Sequence, residues 1–209
     1  MIKFFDKQSA FLGPRFITMN IIFNYLYSLN KPVKILETGC SHRMINYTAK
    51  NLVDCSCDGL STVFFGAFIK NYTKGQLECI DISKEAIENC KKITKEFSDV
   101  IQYTVGDSLD VLKSKTKEEI QDLDFIYFDS LDLDIKDNGE SSMRHHLEEL
   151  KIVYPNLSDK AILAFDDHHY WPNGEFAKGK YCLEFLTNNK WKLINDYKDQ
   201  QWIFKKETF

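Results

Sequence analysis

A doubly wound α/β fold, built on a mostly parallel seven-stranded sheet, is what this sequence predicts. Three observations carry the expectation. Short runs rich in Val, Ile, Leu and Phe alternate with segments of helical periodicity along most of the chain. Five of those runs end in acids: Glu37, Asp81, Asp107, Asp129 and the Asp166-Asp167 pair. The last two runs, Trp191–Asp196 and Gln201–Lys205, follow one another across a short turn, as two strands closing a sheet would.

Residues 1–32 read as a helical lead-in. Gly13-Pro14 marks a break, and Ile17, Ile21, Ile22, Tyr25, Leu26 and Leu29 keep helical spacing from Phe16 to Leu29. Asn30-Lys31-Pro32 ends that helix. Val33–Ser41 then has the character of a buried parallel strand running into a tight turn, where Gly39 lets the backbone approach a small molecule. The polar stretch His42–Cys57 reads as an insertion and a mobile lid over a ligand. Asp58 or Ser61 is expected to cap a helix over Val63–Ile69. Strands are expected at Gln76–Ile82, Ile101–Val105, Leu123–Asp129 and Ala161–Phe165. Helices are expected from Ser83 to about Phe97, around Leu109–Leu112, over Ser141–Val153 and over Gly179–Leu186.

The 209 residues suit one domain, 1–209, and the net charge of −4 argues against a nucleic-acid partner. No apolar run reaches the length of a membrane span and the first residues lack a signal-peptide layout, so a cytoplasmic protein without a membrane partner is expected. Six cysteines are scattered along the chain. Cys79 and Cys90 read as reduced, buried thiols. Cys40, His42, Cys55 and Cys57 match no common zinc spacing.

In doubly wound sheets, ligands bind outside the carboxyl ends of the strands, where these acids lie. One acid after a strand is ordinarily a cap or turn residue, but five strand ends with the same chemistry are hard to explain by capping. Asp81 is placed to accept both hydroxyls of a ribose. Asp107 and Ser108 could bond an adenine edge, and Glu37 with the Thr38-Gly39 backbone could hold a charged amino-acid end. Asp129, Asp166 and Asp167 offer hard oxygen ligands from neighbouring strands, which suit Mg²⁺ or a similar divalent ion.

The runs Ile35–Gly39, Leu77–Asp81, Val105–Ser108, Phe125–Asp129 and Ala164–Asp167 resemble, in order, those of class I S-adenosylmethionine-dependent methyltransferases. The resemblance implies a Rossmann-like methyltransferase fold with a reversed last strand. It implies a cofactor site formed by Glu37, Thr38, Gly39, Cys40, Ser41, Gly59, Ser61, Asp81, Ile82, Gly106, Asp107, Ser108 and Asp129. Within that family the chain looks closest to metal-dependent, catechol-type and macrolide-sugar O-methyltransferases, through Asp129 and the adjacent Asp166-Asp167. That likeness implies a metal on Asp129, Asp166 and Asp167 that lowers the pKa of an acceptor hydroxyl and orients it.

Two departures stand out. Only Gly39 and, beyond the insertion, Gly59 represent the glycine-rich loop. Where relatives often carry a Lys or His base past the strand-four acid, this chain has Asp132, a poor substitute; His168 or His169 is the better base. His145 and His146 read as structural. Tyr170-Trp171-Pro172 could wall an acceptor pocket or pack in the core.

The expected activity is metal-assisted O-methylation of a small hydroxylated acceptor, a sugar or secondary metabolite, with self-association into a homo-oligomer left open. The rivals are a NAD(P)-dependent oxidoreductase, disfavoured by the incomplete glycine fingerprint, and a methyltransferase-fold relative with a non-catalytic or different role.

Overall fold

The computed structural model describes residue 4 and residues 15–41, 60–171 and 174–207. The lid expected at His42–Cys57, and Asp58 and Gly59, lie outside the described residues. The sheet is formed by β1 (Val33–Thr38), β2 (Gly75–Asp81), β3 (Ile101–Val105), β4 (Phe125–Phe128), β5 (Ile162–Phe165), β8 (Trp191–Leu193) and β9 (Trp202–Lys206). Their order is β3-β2-β1-β4-β5-β9-β8. The pairs among β1 to β5 are parallel, and β9 is antiparallel to both β5 and β8. The expected seven strands and reversed last strand are therefore present.

Strand alternation divides the core between the two faces of this sheet. Val33, Ile35, Phe125, Tyr127, Ile162 and Ala164 face one way, against α1 (Phe16–Ser28), α2 (Ser61–Tyr72) and α3 (Lys84–Ile93). Leu36, Ile126, Phe128, Leu163 and Phe165 face the other way. There they meet α4 (Ser108–Ser114), α5 (Lys117–Gln121), α6 (Glu140–Val153) and α7 (Lys180–Asn188). With both faces covered, β4 and β5 must be apolar at every position, and every residue of both is buried. Aromatic packing fills the space beside them. The Phe65 ring stands edge-on to Phe125 and Tyr127 at 5.4 and 5.3 Å, and Phe128 stacks on Phe165 at 4.7 Å.

Several expected local details differ. Helix α2 is preceded by Leu60 in the left-handed region, φ 48°, and not by a side-chain cap from Ser61. Helix α3 stops at Ile93, because Thr94 turns its hydroxyl back onto the Cys90 carbonyl at 2.6 Å, and a 3₁₀ turn follows to Phe97. Ile82 lies just past β2. Between β5 and α7 the chain forms a separate hairpin, β6 (His168–Trp171) and β7 (Gly174–Ala177), with His168 opposite Ala177 and Trp171 opposite Gly174. Among the described residues, no helix is long and apolar enough to cross a membrane.

Candidate active site

The strand order reverses between β1 and β4, so a crevice opens at their carboxyl ends. Gly39 makes the turn out of β1 with φ +82°, and a Cβ there would lie 2.3 Å from the Asp129 carbonyl oxygen. Only glycine lets the β1 and β4 turns approach this closely.

Glu37 is fully buried, and Thr62 at the start of α2 donates to its Oε2 at 2.7 Å. Burial pushes the Glu37 carboxyl well up, against the hydrogen bonds it accepts. The Ser41 amide donates to the Thr62 hydroxyl at 3.0 Å, and the Thr62 amide donates to the Ser41 hydroxyl at 3.2 Å. The turn after β1 is thereby locked to α2. Glu37 Oε1 and Thr38 Oγ1 are buried without a partner among the described residues.

Asp81 ends β2 and accepts the Ser83 amide at 2.7 Å, while Ile82 beside it is 70% exposed. The Gly106 amide donates to the Asp81 carbonyl at 2.9 Å, extending the β2–β3 pairing by one step. Asp107 caps α4 by accepting the Leu109 amide at 2.8 Å, and Ser108 Oγ lies 3.0 Å from His145 Nε2. Capping thus takes up part of the Asp81 and Asp107 carboxylates.

The carboxylates after β4 and β5 meet two buried cations. Arg15 Nε lies 2.9 Å from both oxygens of Asp166, and its Nη2 lies 3.1 Å from Asp167 Oδ1. Lys178 Nζ is bound to Asp129, lies 3.0 Å from Asp167 Oδ2 and reaches Asp132 at 3.5 Å. Lys178 and Arg15 have side chains 0% and 2% exposed. Burial alone would lower the Lys178 pKa, but Asp129 and Asp167 outweigh it and hold the ammonium firmly charged. The Asp167 carboxyl is likewise held well below its usual range. Burial opposes this, and the His169 hydrogen bond with the Lys178 and Arg15 charges prevails. Asp167 sits in the left-handed region at φ 54°, a conformation uncommon outside glycine that clusters at functional sites.

The expected catalytic residues lie in different settings around these groups. His168 is buried, with Nδ1 3.0 Å from the Asp199 carbonyl and Nε2 2.6 Å from Glu175, so both ring nitrogens are engaged. His169 is 37% exposed, with Nε2 3.2 Å from Asp167 Oδ1. Asp132 is 92% exposed at the rim.

A divalent ion does not fit the three carboxylates. Their oxygens are engaged by the buried Lys178 and Arg15, and a cation bridging Asp129 and Asp167 would displace the Lys178 ammonium. Among the described residues, the ligand atoms that do converge are those of Cys40, Cys79 and Cys90. The sequence reading missed Arg15 and Lys178. Their one signal was position: Arg15 follows the Gly13-Pro14 break, and Lys178 precedes the glycine that opens α7.

Comparison with known proteins gives the same class. Residues 56–168 match the family described as a methyltransferase domain. No protein of curated function matches the sequence. A provisionally assigned caffeoyl-CoA O-methyltransferase from Staphylococcus aureus is similar in structure, with a TM-score of 0.56 and 15% identity over 90% of this chain and 81% of that one. A provisionally assigned rRNA methylase from Clostridium thermocellum gives a TM-score of 0.55 and 13% identity over 89% of this chain and 94% of its own. At such identities the likeness concerns the fold, while the family match spans more than half of the chain. The chain belongs to the methyltransferase-domain family and has the Rossmann-like fold of the methyltransferases it is similar to.

Proposed function

We propose that this protein transfers a methyl group from S-adenosylmethionine to a hydroxyl of a small acceptor, such as a sugar or secondary metabolite, with His169 as general base and no divalent ion at the strand ends. The observation that carries the proposal is the pairing of half-exposed His169 with Asp167 at the crevice, beside a buried ammonium that occupies the carboxylates a metal would use.

The residues fit the cofactor. Asp81 can accept ribose hydroxyls while keeping its turn bond to Ser83. Exposed Ile82 offers apolar surface next to it, and the unpartnered polar atoms of Glu37 and Thr38 lie beside the β1 turn. When bound, S-adenosylmethionine supplies the electrophilic methyl group. With Asp167 accepting from His169 Nε2–H, the ring would be oriented in the tautomer whose Nδ1 takes the acceptor proton. Lys178 holds Asp129 and Asp167 in place, and its firmly charged ammonium excludes it as the base. The main gain would come from alignment of the acceptor oxygen with the methyl group.

Calorimetry in an EDTA-containing buffer tests this reading. S-adenosylmethionine should bind the wild type, and Asp81→Ala should weaken it at least about tenfold, the cost of a lost hydrogen bond to a charged group. Binding of NADH with none of S-adenosylmethionine would overturn the proposal, as would turnover that appears only when Mg²⁺ is added.

A further inference from the structure

The sulfurs of Cys40, Cys79 and Cys90 lie within 4.8 Å of one another, although they come from three separate elements. Cys40 follows the β1 turn, Cys79 is in β2 opposite Glu37, and Cys90 is in α3. Cys79 and Cys90 are fully buried, and Cys40 is partly exposed. None is in a disulfide. We propose that these three cysteines form a site for a thiophilic divalent cation of the Zn²⁺ type, beneath the turn expected to hold the cofactor.

The geometry is close to what such an ion needs. Tetrahedral coordination with zinc–sulfur bonds of about 2.3 Å places sulfurs about 3.8 Å apart, so the triad requires a contraction of about 1 Å at most. Three thiolates select a soft or borderline ion over Mg²⁺. Three protein ligands leave the fourth position of a tetrahedral site to a further ligand, as in zinc sites with three protein ligands. A second observation points the same way. Glu37 is fully buried and stands opposite Cys79 in the β1–β2 register, and its Oε1 lacks a hydrogen-bond partner among the described residues. Packing as small hydrophobes would account for buried thiols one at a time. It does not account for three sulfurs converging from three separate elements.

Cation binding forms three metal–sulfur bonds and releases the thiol protons to solvent, with no change of oxidation state. The result is a singly negative cluster of one divalent ion and three thiolates.

Cd²⁺ serves as the probe, titrated into the reduced protein after chelation and desalting. A thiolate-to-cadmium charge-transfer absorption should rise and saturate at one equivalent. It should persist in the C55S/C57S double variant and weaken more than about tenfold in both Cys90→Ala and Cys40→Ala. Cys40 is the partly exposed member, so Cys40→Ala retains the test if Cys90→Ala fails to fold. The proposal is overturned by the absence of that absorption, by unchanged stoichiometric binding in Cys40→Ala, or by its loss in C55S/C57S.

Discussion

Lys178 shows how much of this site rests on single buried charges. Its ammonium has no exposure and meets Asp129, Asp167 and Asp132. A buried pair contributes little over an apolar replacement of both partners, but removal of one partner leaves the other charge stranded. Lys178→Met should therefore destabilise the fold by about 3–5 kcal/mol in urea titrations. Asp132→Ala, at a largely exposed position on the same ammonium, should stay within about 0.5 kcal/mol of wild type. Equal stability of Lys178→Met and wild type would mean that the ammonium does not neutralise these acids. The acids themselves were legible in the sequence, because each follows an apolar strand. Their counter-ions were not. Arg15 is 151 residues from Asp166 and Lys178 is 49 from Asp129, and no local pattern announces a partner at that distance. Lacking those cations, Asp129, Asp166 and Asp167 read as a metal site.

The strands and helices were legible for a different reason. Strands covered on both faces must be apolar throughout, so β4 and β5 stand out as continuous runs, and α1 and α6 agree with the expected segments within a residue or so. The β6–β7 hairpin was not legible. Its strands are four residues long, mix histidines with aromatics, and pack beside the sheet and not within it. It still matters for function, because β6 carries His169 and β7 leads into Lys178. The β1 turn shows an element whose geometry follows from one residue. Gly39→Ala must place a Cβ where the Asp129 carbonyl lies, in a backbone region that costs an L-residue about 1–2 kcal/mol before any overlap. The expected outcome is a lowered urea midpoint together with loss of S-adenosylmethionine binding by calorimetry. Wild-type binding in Gly39→Ala would show that the β1 turn is not the cofactor's seat.

One contribution to the response of the fold to acid comes from α6, which packs against one face of the sheet. His146 on this helix is fully buried, with Nδ1 2.7 Å from the Ser142 carbonyl and Nε2 4.0 Å from Glu149 Oε2, without a hydrogen-bond partner among the described residues. Burial pushes its pKa from 6.5 down to about 4, against the attraction of Glu149. Below about pH 6.5 the unfolded chain takes up a proton that the folded chain refuses until about pH 4, so stability falls as pH falls through that window. At about 1.4 kcal/mol per pH unit, the loss approaches about 3 kcal/mol. His145, one residue away, is shifted upward by its hydrogen bond to Glu149 and works in the opposite sense, adding stability that is present at low pH and lost as pH rises through its folded value. Asp167 and Glu149, both held low, withdraw their contribution only below the ordinary carboxylate range. Comparison with a variant isolates the His146 effect. His146→Asn retains a side-chain donor for the Ser142 carbonyl and cannot charge. Urea titrations at pH 7, 6, 5 and 4 should therefore show a smaller fall in unfolding free energy for His146→Asn than for wild type, whatever its absolute stability. Parallel falls in the two proteins would place the acid sensitivity elsewhere.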